Sequence, residues 1–123
     1  MKQEITKSFT FEAAHFLPDV PKGHKCGRMH GHSFRVTIGV RGDVRDGSGW
    51  VLDFADISQA WRPLADALDH RLLNEVPGLG NPTSEVVAAW IFDRLKLPGL
   101  YFVEVAETCS SSCRLYACDR DGR

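Results

Sequence analysis

The chain has 123 residues and a mass of 13.7 kDa, the size of one domain. Its 43% hydrophobic and 25% charged residues exclude disorder, collagen-like repeats and coiled coil as the main state. With 15 Lys+Arg against 16 Asp+Glu, the net charge of -1 lacks the basic excess of a typical nucleic-acid binder.

Residues 4 to 16 alternate as a strand, with Phe9, Phe11, Ala13 and His15 on one face and Ser8, Thr10 and Glu12 on the other. Leu17 to Met29 holds two prolines, two glycines and most of the local positive charge, and reads as a long loop. Alternation resumes at His30, where His30, His32, Phe34, Val36, Ile38 and Val40 share one parity. Asp43 to Gly49 reads as a hairpin connection into Trp50-Val51-Leu52. The period then changes. Phe54, Ile57, Trp61, Leu64, Ala65 and Leu68 predict a helix capped by Asp53 or Asp56, which Pro63 should kink or shorten. After an irregular stretch over 70–82, Thr83 or Ser84 caps a second helix carrying Val86, Val87, Trp90, Ile91 and Leu95, ended by Pro98-Gly99. Tyr101, Val103, Val105 and Glu107 form another strand face, and a short strand from Arg114 to Cys118 follows a serine turn. The order predicts one α+β domain over 1–123 with an antiparallel sheet.

The N-terminus enters strand-like sequence with no secretory core, and no apolar run approaches the ~20 residues that span a bilayer. A cytoplasmic protein without a membrane or nucleic-acid partner is therefore expected. A chain of this mass buries about two-thirds of its unfolded surface, which leaves no volume for a core plus a large enclosed cavity.

His15, His30, His32 and Glu107 all continue faces that the rest of each strand turns toward the core. Buried without partners they would be costly; placed at strand ends they converge on one cleft. Three histidines suit a zinc ion that keeps a fourth position open, and His30 and His32 point the same way on a strand. Cys26, four residues before His30, reads either as a fourth ligand or as a free catalytic thiol, with Lys25 and Arg28 nearby to favour its thiolate. Asp69-His70 is a candidate proton-transfer pair, although neighbours on a helix do not face one another. Reduced thiols are expected for all four cysteines; Cys109 and Cys113 flank a turn, and with Cys118 they read as small packing residues rather than as a second, four-thiolate zinc site with Cys26, since no close-set Cys-x-x-Cys spacing is present. The cations Lys22, Lys25 and Arg28 meet an anionic substrate or simply solvate their loop.

In combination, Phe11-Glu12-Ala13-Ala14-His15, Cys26-x-x-x-His30-Gly31-His32, Val51-Leu52-Asp53-Phe54, Leu68-Asp69-His70, Asn81-Pro82-Thr83-Ser84-Glu85 and Glu107-Thr108 resemble the 6-pyruvoyl-tetrahydropterin synthase superfamily, most closely its bacterial carboxytetrahydropterin-forming branch. That resemblance implies a zinc enzyme acting on 7,8-dihydroneopterin triphosphate and water. It would yield 6-carboxy-5,6,7,8-tetrahydropterin, acetaldehyde and triphosphate, an early step toward queuosine. It implies His15, His30 and His32 as ligands of one Zn2+ per subunit, and Cys26, Asp69 and His70 as proton-transfer groups. Glu107 would anchor the pterin, with Thr83 and Ser84 near the ring. The implied fold is a four-stranded antiparallel sheet backed by two antiparallel helices, closing into a barrel as a trimer and stacking as a homohexamer with sites between subunits. The rival readings are elimination of triphosphate to 6-pyruvoyl-tetrahydropterin, a non-enzymatic zinc or pterin binder, and a zinc hydrolase.

Overall fold

A computed structural model describes residues 1–108 and 110–120. One sheet carries five strands in the order β3-β1-β2-β4-β5, namely β1 (Lys2–His15), β2 (His30–Asp43), β3 (Arg71–Leu72), β4 (Leu100–Thr108) and β5 (Ser111–Tyr116). Three helices accompany it, α1 (Phe54–Leu68), α2 (Ser84–Arg94) and the short α3 (Ala117–Arg120). No helix among the described residues is long and apolar enough to cross a membrane.

The expected four antiparallel strands need correction. The fifth, β3, is two residues long and runs parallel to β1, pairing Arg71 with Ala13 and Leu72 with Ala14. It has too few residues to carry a period, so alternation could not reveal it. Its pairing is set from outside, because the Asp69 carboxylate accepts the Glu12 N–H at 2.9 Å and the His70 N–H donates to the Glu12 carbonyl at 2.5 Å. Trp50-Val51-Leu52 forms no strand; Val51 and Leu52 instead bury their side chains in the core. The last strand ends at Tyr116, and Cys118 lies in α3.

Helix α1 also departs from expectation, since it runs unbroken through Pro63. Both Pro63 and Gln59, whose carbonyl loses its amide partner, lie on the exposed side, so the missing bond is not buried. Asp53 caps α1 by accepting the Ala55 N–H at 2.9 Å, and Thr83 caps α2 by accepting the Val86 N–H at 3.1 Å. Ile57, Trp61, Leu64 and Leu68 from α1 and Val87, Ala88, Trp90 and Ile91 from α2 are buried in the core. The sheet contributes Phe11, Phe34, Val36, Ile38, Val103 and Val105 to that core. Phe11 and Phe34 face each other across the β1–β2 ladder and stack at 4.9 Å. The opposite sheet face is not all polar, because Phe102 lies flat over Gly39. A side chain at residue 39 would put its Cβ 2.1 Å from the Phe102 ring.

Candidate metal centre and its surroundings

The β1–β2 register sets His15 opposite His30 and Ala13 opposite His32. All three imidazoles therefore crowd the same end of the same sheet face, with one ligating nitrogen from each ring mutually within 4.8 Å. His15 is buried and the other two are half-buried. Each Nδ1 meets a backbone carbonyl, His15 on Pro82 at 2.9 Å, His30 on Arg28 at 2.8 Å and His32 on Ser33 at 3.3 Å. A carbonyl only accepts, so each Nδ1 carries the proton and each Nε2 presents a lone pair. The Nε2 atoms of His15 and His32 stand 3.1 Å apart. Two bare lone pairs at that distance repel unless a cation lies between them, and ligands on a tetrahedral zinc stand ~3.3 Å apart. Burial pushes the His15 pKa below its ordinary value, and Glu107 partly opposes that shift by its charge. A neutral ring is the form that binds metal. The donor set fits a metal ion held by three neutral nitrogens.

Asp69 and His70 do pair, contrary to the geometry of neighbours within a helix. Asp69 is the C-cap of α1, and His70 leaves the helix at φ 58, which swings its Nδ1 to 2.9 Å from Asp69 Oδ2. A left-handed backbone at a non-glycine residue is held there at some cost by the two bonds to Glu12. The Glu12 N–H and then His70 keep the Asp69 carboxyl below the usual carboxylate range. His70 lines a cavity of about 520 Å³ together with His32, Arg71 and Glu12.

Glu107 lines a different cavity, of about 390 Å³, with Ser84, Glu85 and Cys113. Thr83 is engaged as the α2 cap rather than in that wall. Burial, with Glu85 adding, lifts the Cys113 thiol above its ordinary value, so it remains a protonated packing group. Cys26 is half-buried in a 3-10 turn over Lys25–Gly27 and belongs neither to the imidazole group nor to either cavity wall. Cys118 is exposed, and Cys109 lies outside the described residues. One chain thus gathers the histidines, but it distributes Cys26, Asp69-His70 and Glu107 around them rather than into one enclosed pocket.

Two supporting groups were not legible in the sequence. The Pro82 carbonyl fixes His15 from a segment 67 residues away. Asn74 accepts the Phe16 N–H at 3.0 Å and donates to the Phe16 carbonyl at 2.8 Å, clamping the residue that follows His15. Its amide also reaches the Gly80 carbonyl at 3.5 Å, two residues before Pro82. The only available signal was an asparagine at the head of the irregular 70–82 stretch.

Comparison with known proteins places the chain. The family model described as 6-pyruvoyl tetrahydropterin synthase matches residues 4–118. The chain is 46% identical over 121 residues to the 6-carboxy-5,6,7,8-tetrahydropterin synthase of Synechocystis, covering 92% of each chain. It is 35% identical over 101 residues to the dihydroneopterin monophosphate aldolase of Pyrococcus furiosus, covering 80% of this chain and 82% of that one. Among solved structures it superposes on the 6-pyruvoyl tetrahydropterin synthase of Caenorhabditis elegans with a TM-score of 0.86 at 25% identity, over 95% of this chain and 96% of that chain.

Proposed function

The chain belongs to the 6-pyruvoyl tetrahydropterin synthase family, and from that premise we propose that it is a 6-carboxy-5,6,7,8-tetrahydropterin synthase. It converts 7,8-dihydroneopterin triphosphate and water to 6-carboxy-5,6,7,8-tetrahydropterin, acetaldehyde and triphosphate, on the route to queuosine. The observation that carries this reading is the trio of imidazoles whose Nδ1 protons rest on backbone carbonyls while their Nε2 atoms converge.

His15, His30 and His32 would hold Zn2+. When bound, the ion supplies Lewis acidity to the side-chain oxygens of the substrate. Glu107 accepts two hydrogen bonds from the amino and ring N–H edge of the pterin, a charge-assisted pair that orients the ring. Ser84 shares the Glu107 cavity wall; Thr83 acts through the α2 cap that sets this wall in place. Asp69 accepts the hydrogen bond of the His70 Nδ1–H, which leaves His70 Nε2 to accept a proton from the substrate or return one to it. Cys26 is the second proton-transfer group, on the loop between the two histidine-bearing strands.

His70 and Glu107 line separate cavities in one chain and Cys26 lies in neither wall, so the active site is completed between copies. Among the described residues the far edge of β1 pairs with another strand only at Ala13 and Ala14, beside the Glu12 bonds to Asp69 and His70, and β5 borders the sheet on its other side. Joining such edges in a ring hides both, which supports a trimeric barrel and a homohexamer of two such rings.

The deciding experiment incubates zinc-loaded protein with 7,8-dihydroneopterin triphosphate and identifies products by mass. Carboxytetrahydropterin with acetaldehyde is expected. A pyruvoyl product would move the chain to the triphosphate-eliminating activity. Dihydroneopterin monophosphate is incubated in parallel, and cleavage of it alone would favour the aldolase activity named for the Pyrococcus relative.

A further inference from the structure

The segment that joins β1 to β2 is the positive pole of an otherwise acidic chain. Between Leu17 and Met29, Lys22, Lys25 and Arg28 oppose Asp19, a balance of +2 that leaves -3 for the remainder of a chain whose net charge is -1. Like charges gathered on a short loop repel one another. Among the described residues, none of these three cations forms a salt bridge with a carboxylate.

The loop is nonetheless well built. The Leu17 N–H donates to the Cys26 carbonyl at 2.7 Å and closes it, and His24 and Gly27 N–H groups bond back within it at 3.0 Å each. The Cys26 N–H donates to His24 Nδ1 at 3.0 Å, so the His24 proton sits on Nε2, the nitrogen turned away from that bond. The loop lines an open cavity of about 420 Å³, within the size range of small-molecule sites. Phe16, Leu17 and Val20 form apolar wall, and Lys22, His24 and Arg28 supply the cationic and N–H groups.

Its position ties it to the metal centre. The wall begins at Phe16, the residue after His15, and ends at Arg28, whose carbonyl holds His30 Nδ1 at 2.8 Å. The cavity wall is therefore continuous along the chain with two of the three histidines, His15 and His30. We infer that the cavity of the 16–28 loop is a polyphosphate subsite, in which Lys22, Arg28 and the His24 Nε2–H hold the triphosphate tail of the substrate. The inference rests on the pterin-synthase reading and extends it to the leaving group. Two cations and a neutral donor match a polyphosphate better than a single phosphate, so the subsite also discriminates by tail length.

The test titrates inorganic triphosphate into the zinc-loaded oligomer by calorimetry, comparing the wild type with Lys22→Ala/Arg28→Ala and with Arg62→Ala/Lys96→Ala, which removes the same charge elsewhere. The loop variant is expected to bind at least tenfold more weakly. Its KM for dihydroneopterin triphosphate should rise by a similar factor with kcat little changed, while the control stays within twofold of wild type. Equal binding by wild type and loop variant, or equal loss in the control, would overturn the subsite. Unphosphorylated dihydroneopterin is titrated in parallel. Failure of the wild type to bind it would sink the pterin reading, while the triphosphate titration still judges the loop.

Discussion

The β1–β2 ladder runs in unbroken register from Lys2 opposite Asp43 to His15 opposite His30, yet its two ends are held by different physics. At the Lys2 end, the N-terminal ammonium and Lys2 reach Asp43 at 3.4 and 3.0 Å, with all the side chains largely in water. At the His15 end, three rings are fixed through Nδ1 by main-chain carbonyls and the chain beyond is clamped by Asn74. Exposed ion pairs hold long side chains loosely and contribute little. Carbonyls fixed by the fold cost no side-chain entropy to position. The same two strands therefore end in a solvent-exposed rim at one side and a preorganised donor set at the other.

The largest effects should follow from breaking the ordered end. For His32→Ala, zinc content measured by plasma mass spectrometry is expected to fall from near one per chain to near zero, with activity lost. Zinc retained at the wild-type level would remove His32 from the ligand set. Cys26→Ala tests a group on the loop between the two histidine-bearing strands, outside the imidazole trio. Turnover should drop by ~10²–10⁴, the range of one general acid–base group, with zinc unchanged; loss of zinc would make the thiol a ligand. Glu107→Ala should leave zinc in place and abolish detectable pterin binding by calorimetry.

Asn74→Ala comes next in size, because it strands the Phe16 N–H and carbonyl that Asn74 now satisfies. Leaving a half-buried backbone pair unsatisfied costs about 1–3 kcal/mol. Support around a metal ligand is typically worth 10–100-fold in metal affinity. Chemical denaturation and a competitive zinc titration read the two separately. A stability loss with zinc affinity untouched would show that the clamp serves the fold alone.

Strand parity made most of the ordered end readable. Alternation placed His15, His30 and His32 on the core-facing side, and the ladder then aligned them. What parity could not carry was any contact made by the main chain, since the carbonyls of Pro82, Arg28 and Ser33 leave no trace in residue type. Asp69-His70 was judged by helical geometry, but its pairing depends on His70 leaving that geometry at φ 58, a turn that two bonds to Glu12 impose. Pro63 was misread for the converse reason. Its local penalty is real, but an exposed face can carry it when the opposite face buries Ile57, Trp61, Leu64 and Leu68. Tertiary burial outweighed a local rule in one case, and tertiary hydrogen bonding overrode a local geometry in the other.

The smallest expected effect separates the two ends most finely, because each has an exposed aspartate whose pKa is lowered. For Asp43 the first cause is the hydrogen bond from Lys2, followed by its charge. For Asp69 the first cause is the Glu12 backbone N–H, followed by His70. A depressed carboxylate pKa means that the folded form favours the ionised group. Any stability it lends is present above the unfolded value of ~3.9 and is lost as pH falls through the lower folded value. Asp43→Asn and Asp69→Asn should therefore converge with wild type in acid and differ from it only above that window. Salt distinguishes them. A flexible ammonium at the rim is screened by added ions, whereas a backbone N–H fixed by the sheet is not displaced by them. Carboxyl resonances followed by NMR should show Asp43 relaxing toward its ordinary pKa as salt is raised while Asp69 remains low. Equal relaxation of both would mean that the turn at Asp69 is held no more firmly than the exposed rim.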